Sequence, residues 1–361
     1  MPKGNKGEWS EIYAFAKLLA DGQVFGADKD LNPIPSEIYK IEEILREGLR
    51  FHHESSKIAF YRNGVYEGCY SLNDLLKDVP QLLSEINAGT NSFESAAGSR
   101  VMDALKQTKL KAPATQKTDL IMKLRDPRSA GLPDLGFSIK SYLGSLPTLF
   151  NASHATKFVY EIEPVPGFDF ELIRNFSESS PSLDQTKAYI LSLLDNSSIT
   201  IKFDHMMDDC CRRNFMLVDS FFPQIFAEAV LIHYCGRDNR LERICEIMEM
   251  EDPLFVDVEN YYTKKITDFL VNVALGMEPA TPWNAIEEAN GGYIVVKNDG
   301  NVVCYNLYDR GKFRGYLLRH CKFDTPSATK FLNAGETTPD GMIYFSNGKA
   351  FINLNRQIRF C

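Results

Sequence analysis

Residues 119–140 read DLIMKLRDPRSAGLPDLGFSIK, and two strands joined by a turn-rich segment account for the pattern. The runs 118–124 and 135–141 are β-forming. Between them RDPRSAGLPD is dense in Pro, Gly, Asp and Ser, which break strands and suit turns. Side chains two apart on a strand share a face, so Ser138 and Lys140 point the same way. In a hairpin the start of the first strand lies near the end of the second, which brings Asp119 to Lys140 at one edge of a sheet.

That juxtaposition fits phosphodiester hydrolysis, which needs a hard cation, an activated water and neutralisation of developing charge. Carboxylate oxygen suits Mg²⁺, which binds one or two carboxylates and keeps waters. Asp119 is the expected central ligand, with the Ile139 backbone carbonyl beside it. Lys140 is expected to hold the attacking water and offset phosphate charge. A strand-capping aspartate and a solvated lysine would give the same spacing, so D-x18-SxK alone is weak. The arrangement resembles that of the PD-(D/E)xK nucleases.

Ser138 stands where that family pattern has an acidic residue, and serine is a weak neutral ligand. A carboxylate must then come from elsewhere. Residues 8–21 read as an amphipathic helix ended by Gly22, with Trp9, Tyr13, Ala16, Leu19 and Ala20 near one stripe. Glu8 and Glu11 are three apart on it and share a face. Lys6-Gly7-x-x-x-Glu11 resembles the opening of several such enzymes, which favours Glu11 over Glu8. Asp126 and Asp134 are alternatives in the turn region.

Further along, β-like runs occur at 23–26, 39–45 and 57–61, with Asn63-Gly64 a hairpin signal. Residues 72–86 and 96–105 read as helices, and 157–163 as a strand. From 182 to 275 the chain reads mainly helical, with one β-like run at 199–203 and a break expected at Pro223. Strand signals return at 293–297, 302–307, 342–346 and 350–354. The expected fold is α/β (α+β): a mixed sheet flanked by helices, a helical middle region and a β-rich C-terminal region. The expected division is a nuclease core at 1–275, with its catalytic hairpin at 118–141, and a DNA-contacting region at 276–361.

With 361 residues, 44% of them hydrophobic and 24% charged, the chain is long enough to bury a core without disulfides. Its eight cysteines form no CxxC pair and HExxH is absent, which argues against zinc. No apolar run is long enough for a membrane span and the start has no signal-peptide core, so a cytoplasmic location is expected. The net charge of -8 disfavours indiscriminate coating of nucleic acid. From residue 297 onward, however, ten Lys/Arg face five Asp/Glu.

A wider similarity runs through residues 4–22 (GNKGEWSEIYAFAKLLADG), 135–153 (LGFSIKSYLGSLPTLFNAS), 156–162 (TKFVYEI), 288–310 (EANGGYIVVKNDGNVVCYNLYDR), 322–327 (KFDTPS) and 353–360 (NLNRQIRF). These blocks resemble the HpaII-type type II restriction endonucleases. The resemblance implies a Mg²⁺-dependent endonuclease cutting double-stranded DNA at CCGG or a related palindrome. Glu11, Asp119, Ser138 and Lys140 carry over as its catalytic positions. It also implies a companion methyltransferase acting on the same site, and a palindromic target suits a homodimer.

For DNA contact, Ser141, Ser145, Thr148, Asn151 and Ser153 follow the catalytic lysine directly and can donate to phosphate or bases. Residues 146–148 look like a helix start. Arg310, Arg314, Arg319, Lys322 and Lys330 are candidates for guanine or phosphate, and Asp324 for cytosine. The rivals are a repair or junction-resolving nuclease, a non-catalytic DNA-binding protein and a small-molecule enzyme. GxGxxG, P-loop and GxSxG patterns are absent, which disfavours the last.

Overall fold

Asn5 decides where the first helix begins. Its side chain accepts the Glu8 N–H, and the Glu8 carboxylate accepts the Asn5 N–H, a reciprocal cap that starts α1 (Lys6–Asp21). Gly22 ends the helix in the left-handed region at φ 63°. Trp9, Ile12, Tyr13, Phe15, Ala16, Leu18 and Leu19 are all buried. This is therefore a core helix, where the sequence pattern suggested a single apolar stripe.

A computed structural model of the chain describes residues 1–112, 117–126, 131–325 and 341–361. After β1 (Lys3–Gly4) and α1 come β2 (Gln23–Ala27), β3 (Pro33–Arg46), β4 (Leu49–His53), β5 (Lys57–Arg62) and β6 (Val65–Ser71). Next are α2 (Leu72–Ala88), β7 (Phe93–Glu94), α3 (Ala96–Ala104), β8 (Leu120–Arg125) and β9 (Leu135–Ser141). The middle of the chain holds β10 (Thr148–Phe150), β11 (Phe158–Pro164), α4 (Phe170–Glu178), α5 (Leu183–Asp195) and β12 (Ile199–Met206). It continues with α6 (Asp209–Val218), α7 (Phe222–Tyr234), α8 (Leu241–Glu251) and α9 (Tyr261–Leu275). The last part has β13 (Gly292–Val296), β14 (Val302–Asn306), α10 (Arg310–His320), β15 (Cys321–Asp324), β16 (Ile343–Ser346), β17 (Lys349–Leu354) and β18 (Gln357–Phe360). No single described helix is long and apolar enough to cross a membrane.

The contacts divide the chain into two compact units: Met1–Pro147 with Glu287–Tyr316, and Thr148–Ile286 with Leu317–Cys361. The sequence suggested one boundary near residue 276. The division differs because β13 and β14, expected in the C-terminal region, join the sheet that holds β9.

In the first unit nine strands run in the order β2-β14-β13-β9-β8-β3-β4-β5-β6, with β2 also paired to β3. β8 and β9 are antiparallel, with Leu120 opposite Phe137. On its other side β9 runs parallel to β13, with Ser138 opposite Tyr293 and Lys140 opposite Val295. The sheet is thus mixed, and β9 is flanked on both sides. Gly292, which opens β13, has φ 109°, and a Cβ there would stand 2.0 Å from the Tyr305 carbonyl oxygen. Only glycine fits that bend. α1 packs on α2, on α3 and on the sheet at β2, β4, β9 and β13. Tyr13 Oη, from α1, donates to the Gly300 carbonyl at 2.6 Å in the turn between β13 and β14.

The second unit has two small sheets, β12-β11-β17-β16 and β10-β18-β15. Phe150, Phe158, Phe215, Phe222, Phe226 and Phe269 form an aromatic core among them and the helices. The helical run that Pro223 was expected to interrupt is split into α6 and α7, which bend by 103°. Pro223 lies in the first turn of α7, where its missing N–H costs no helical bond.

Candidate active site

Asp119 lies one residue before β8, beside Ser138 in the middle of β9 and not beside its end. Its N–H donates to the Phe137 carbonyl at 2.9 Å, which extends the ladder by one step and fixes its backbone. Its Oδ2 accepts two donors from β9: the Ile139 N–H at 2.5 Å and Ser138 Oγ at 3.1 Å. Ser138 is 3% exposed. Its hydroxyl orients the Asp119 carboxylate.

Burial pushes the Asp119 carboxyl above its ordinary range. Lys140 is the strongest influence pulling it back, followed by the Ile139 N–H, the Ser138 hydroxyl and Arg46. Glu11 shows the stronger effect. Burial first, and the neighbouring charge of Asp119 second, push it up to about 8. The Ala112 N–H, Arg46 and Lys140 act in the opposite direction. Glu11 Oε2 accepts that Ala112 N–H at 3.1 Å. Burial also lowers the pKa of Lys140, against the attraction of Asp119 and Glu11. Its Nζ stands 5.2 Å from the centre of the Tyr293 ring on β13.

Two half-buried carboxylates, one of which raises the other, and a half-buried ammonium make a charged cluster beside the cleft. The donor chemistry fits a hard divalent ion, since two carboxylates plus waters are what Mg²⁺ takes. Among the described residues no group of three or more His, Cys, Asp or Glu is placed to hold a metal. A cleft of about 760 Å³ opens at Asp119 and Ala112, lined also by Arg46, Lys109, Lys111 and Asn290.

Glu8 and Glu11 share α1 but have different surroundings. Glu8 closes the Asn5 cap and pairs with Lys111 at 2.7 Å, and these contacts lower its pKa, Lys111 foremost. Asp134 pairs with Arg50 at 3.0 Å. Asp126 is buried.

The chain belongs to the HpaII restriction endonuclease family.

The family model matches residues 5–360. A curated relative, the "Type II restriction enzyme HpaII" of Haemophilus parainfluenzae, is 35% identical over 371 residues, covering 99% of this chain and 98% of the relative. No solved structure matches. The protein is accordingly a type II site-specific deoxyribonuclease, and its substrate is DNA.

The residues expected to touch DNA are dispersed over the restriction enzyme. Ser141 Oγ donates to Ser10 Oγ at 2.9 Å and accepts the Leu143 N–H at 3.1 Å, so it ties β9 to α1. Ser145 and Asn151 are exposed. Thr148 opens β10 opposite Arg359 of β18, so where a helix start was expected at 146–148 two irregular residues lead into a strand. Strand pairing outweighs the helix-start signal of Pro147. Ser153 caps a single 3₁₀ turn, accepting the Ala155 N–H at 3.2 Å.

Arg310, Arg314 and Arg319 all lie on α10, a helix the sequence reading did not anticipate. Arg310 pairs with Glu287 at 2.5 Å and Arg319 with Glu242 at 2.7 Å. Lys322 is on β15, opposite Arg359. Asp324 pairs with Arg359 at 3.2 Å. Lys330 lies outside the described residues.

Sequence reasoning missed Arg46, 7% exposed, whose charge reaches both Glu11 and Asp119. It also missed Tyr293 beside Lys140. Glu47-Gly48, immediately after Arg46, is a turn signal that could have marked the end of β3.

Proposed function

We propose that the enzyme carries a PD-(D/E)xK-type core and cuts double-stranded DNA at CCGG or a closely related short palindrome, with Mg²⁺ as cofactor. The observation that supports this reading is that Glu11, Asp119 and Lys140 stand near enough, by the open end of the β8–β9 hairpin, for the charges of Asp119 and Lys140 to act on Glu11. The palindrome follows from the similarity to the HpaII enzyme, and the metal from the donor chemistry.

In this reading Glu11 and Asp119 hold the ion, with the Ile139 carbonyl as a further oxygen. Glu8 is left to its helix cap. When bound, Mg²⁺ polarises a phosphoryl oxygen and lowers the pKa of a coordinated water. Lys140 holds the attacking water in place, and its ammonium offsets charge that develops on the phosphate. Ser138 keeps Asp119 in one orientation through its hydroxyl. Water adds to phosphorus and the P–O3′ bond breaks, which leaves 5′-phosphate and 3′-hydroxyl ends.

Exposed Ser145 and Asn151, together with the basic residues of α10 and β15, are candidate backbone or base contacts. Two copies on the palindrome would cut both strands, and a companion methyltransferase would protect the same sequence in the host. Digestion of a sequenced plasmid with purified protein, in Mg²⁺ and in EDTA, tests the reading. Discrete cuts sharing one palindrome, in Mg²⁺ only, are expected. Cuts at unrelated sequences, or undiminished cutting in EDTA, would overturn it.

A further inference from the structure

Arg46 and Glu47 stand outside the D-x18-SxK pattern, at the turn that joins β3 to β4. Glu47 and Gly48 both have positive φ, 49° and 75°. Two such residues in succession make the tight hairpin turn that matches strand twist. The turn places two opposite charges side by side, with Arg46 Nη1 3.1 Å from Glu47 Oε1. Both then engage one segment, residues 107–110.

Arg46 Nη1 donates to Gln107 Oε1 at 2.7 Å. Its Nη2 donates to the Lys109 and Leu110 carbonyls at 2.9 and 3.1 Å. Glu47 accepts the Thr108 N–H at 3.1 Å, the Lys109 N–H at 2.9 Å and Thr108 Oγ1 at 2.6 Å. The two side chains therefore answer two backbone N–H groups and two carbonyls of a segment that belongs to no helix or strand. Backbone groups in such a segment otherwise turn to water. Two residues after the clamped stretch, the Ala112 N–H donates to Glu11. The Arg46 guanidinium carbon also lies 5.6 Å from the centre of the Phe15 ring, one helical turn from Glu11 on α1.

We propose that residues 107–112 form a strap, clamped by Arg46 and Glu47, which holds the Glu11 carboxylate beside Asp119 through the Ala112 N–H. Arg46 and Glu47 are thus positioning residues for cleavage. The inference rests on the assignment of Glu11 to the metal site made above. Its physical content is that Glu11 gets its direction from a distant turn. Partners that orient metal ligands are typically worth about 10–100-fold in metal affinity.

The test uses Glu47→Gln, nearly isosteric but with N–H groups facing the strap's own donors, and Arg46→Lys, which keeps the charge and loses the planar fork. Glu11→Gln and the double variant Glu47→Gln/Glu11→Gln complete the set. A conservative core change elsewhere in the same sheet, Ile58→Val, controls for general loosening. Mn²⁺ binding to the DNA-free protein is followed by the electron paramagnetic resonance of the free ion. Single-turnover cleavage is measured against Mg²⁺ concentration, and DNA binding is measured in Ca²⁺.

Glu47→Gln and Arg46→Lys are expected to weaken Mn²⁺ binding about 10-fold and to raise the half-saturating Mg²⁺ concentration similarly. DNA binding should stay within about 2-fold of wild type, since the strap acts on Glu11 and not on the duplex. The double variant should bind Mn²⁺ no more weakly than Glu11→Gln alone, because both changes act through one carboxylate. Wild-type Mn²⁺ binding by both clamp variants, with Glu11→Gln impaired, would overturn the strap and leave the Glu11 assignment standing. Wild-type binding and cleavage by Glu11→Gln would remove Glu11 from the site and the strap with it. If Glu47→Gln does not fold, Arg46→Lys decides the matter alone. Equal weakening by Ile58→Val would also refute the clamp.

Discussion

Replacing Glu11 with glutamine should abolish cleavage and yet stabilise the metal-free protein above neutral pH. The carboxyl titrates near 4.5 when unfolded and is pushed up to about 8 in the folded chain, by burial and by Asp119. Between those values the folded state holds a proton that the unfolded state has released. Stability from this group is thus complete below pH 4.5, falls as pH rises towards 8, and is level above it. At about 1.4 kcal/mol per pH unit, the interval from 4.5 to about 8 sets an upper bound of about 5 kcal/mol. Structural relaxation and water entry will reduce that figure.

Glutamine carries no charge to bury, and its amide oxygen can still accept the Ala112 N–H. Thermal unfolding in EDTA, at pH 5 and at pH 8.5, reads the effect. The variant and wild type should melt together at pH 5, and the variant should melt several degrees higher at pH 8.5. Adding Mg²⁺ should raise the wild-type midpoint at pH 8.5 and leave the variant nearly unchanged. Equal midpoints at both pH values would refute the claim that Glu11 is ionised at a cost.

Asp119→Ala should eliminate cleavage in Mg²⁺ while DNA binding in Ca²⁺ persists, measured by gel shift on a site-bearing duplex. Lys140→Ala should slow single-turnover cleavage by at least ~100-fold, the scale of other charge-stabilising groups, and a near-wild-type rate would dismiss the lysine. Glu8→Ala should keep its cleavage rate and lose about 1 kcal/mol of stability with its cap in chemical denaturation. Gly292→Ala should cost about 2–3 kcal/mol or more in the same assay, since φ 109° strains any Cβ and the Tyr305 carbonyl stands in its way.

The β8–β9 hairpin was legible because its signals are local. Alternation, a turn-rich middle and the two-residue period of a strand gave β9 to the residue and β8 within two. The end of α1 was read from Gly22, but its start was placed two residues late, at Glu8, because the Asn5–Glu8 cap went unread. β3 was read short, at 39–45, because Pro33 and Pro35 argue against a strand. It begins at Pro33 all the same, and strands tolerate proline at their first residue.

Other parts depend on distance. The parallel pairing of β9 with β13 joins residues more than 150 positions apart, and strand patterning carries no partner information. α10 was missed because its apolar positions, Phe313, Tyr316 and Leu317, sit among basic residues that read as a surface patch. Arg46 looked like one charge among many. Its burial beside Glu11 and Asp119 is set by the turn after β3 and by residues 107–112.

The position of β13 also governs when the sheet around β9 can close during synthesis. β9, which carries Lys140 and lies beside Asp119, leaves the ribosome first, but its neighbour on one side is encoded only at 292–296. At roughly 5–20 residues per second, synthesis of the intervening chain takes on the order of ten seconds. Throughout that time β9 has an open edge and Lys140 lacks Tyr293. A polypeptide abandoned before residue 292 carries every residue of the D-x18-SxK pattern and still has an unfinished sheet around it. Premature termination thus leaves the hairpin without its parallel neighbour, in a sheet that stays open along β9.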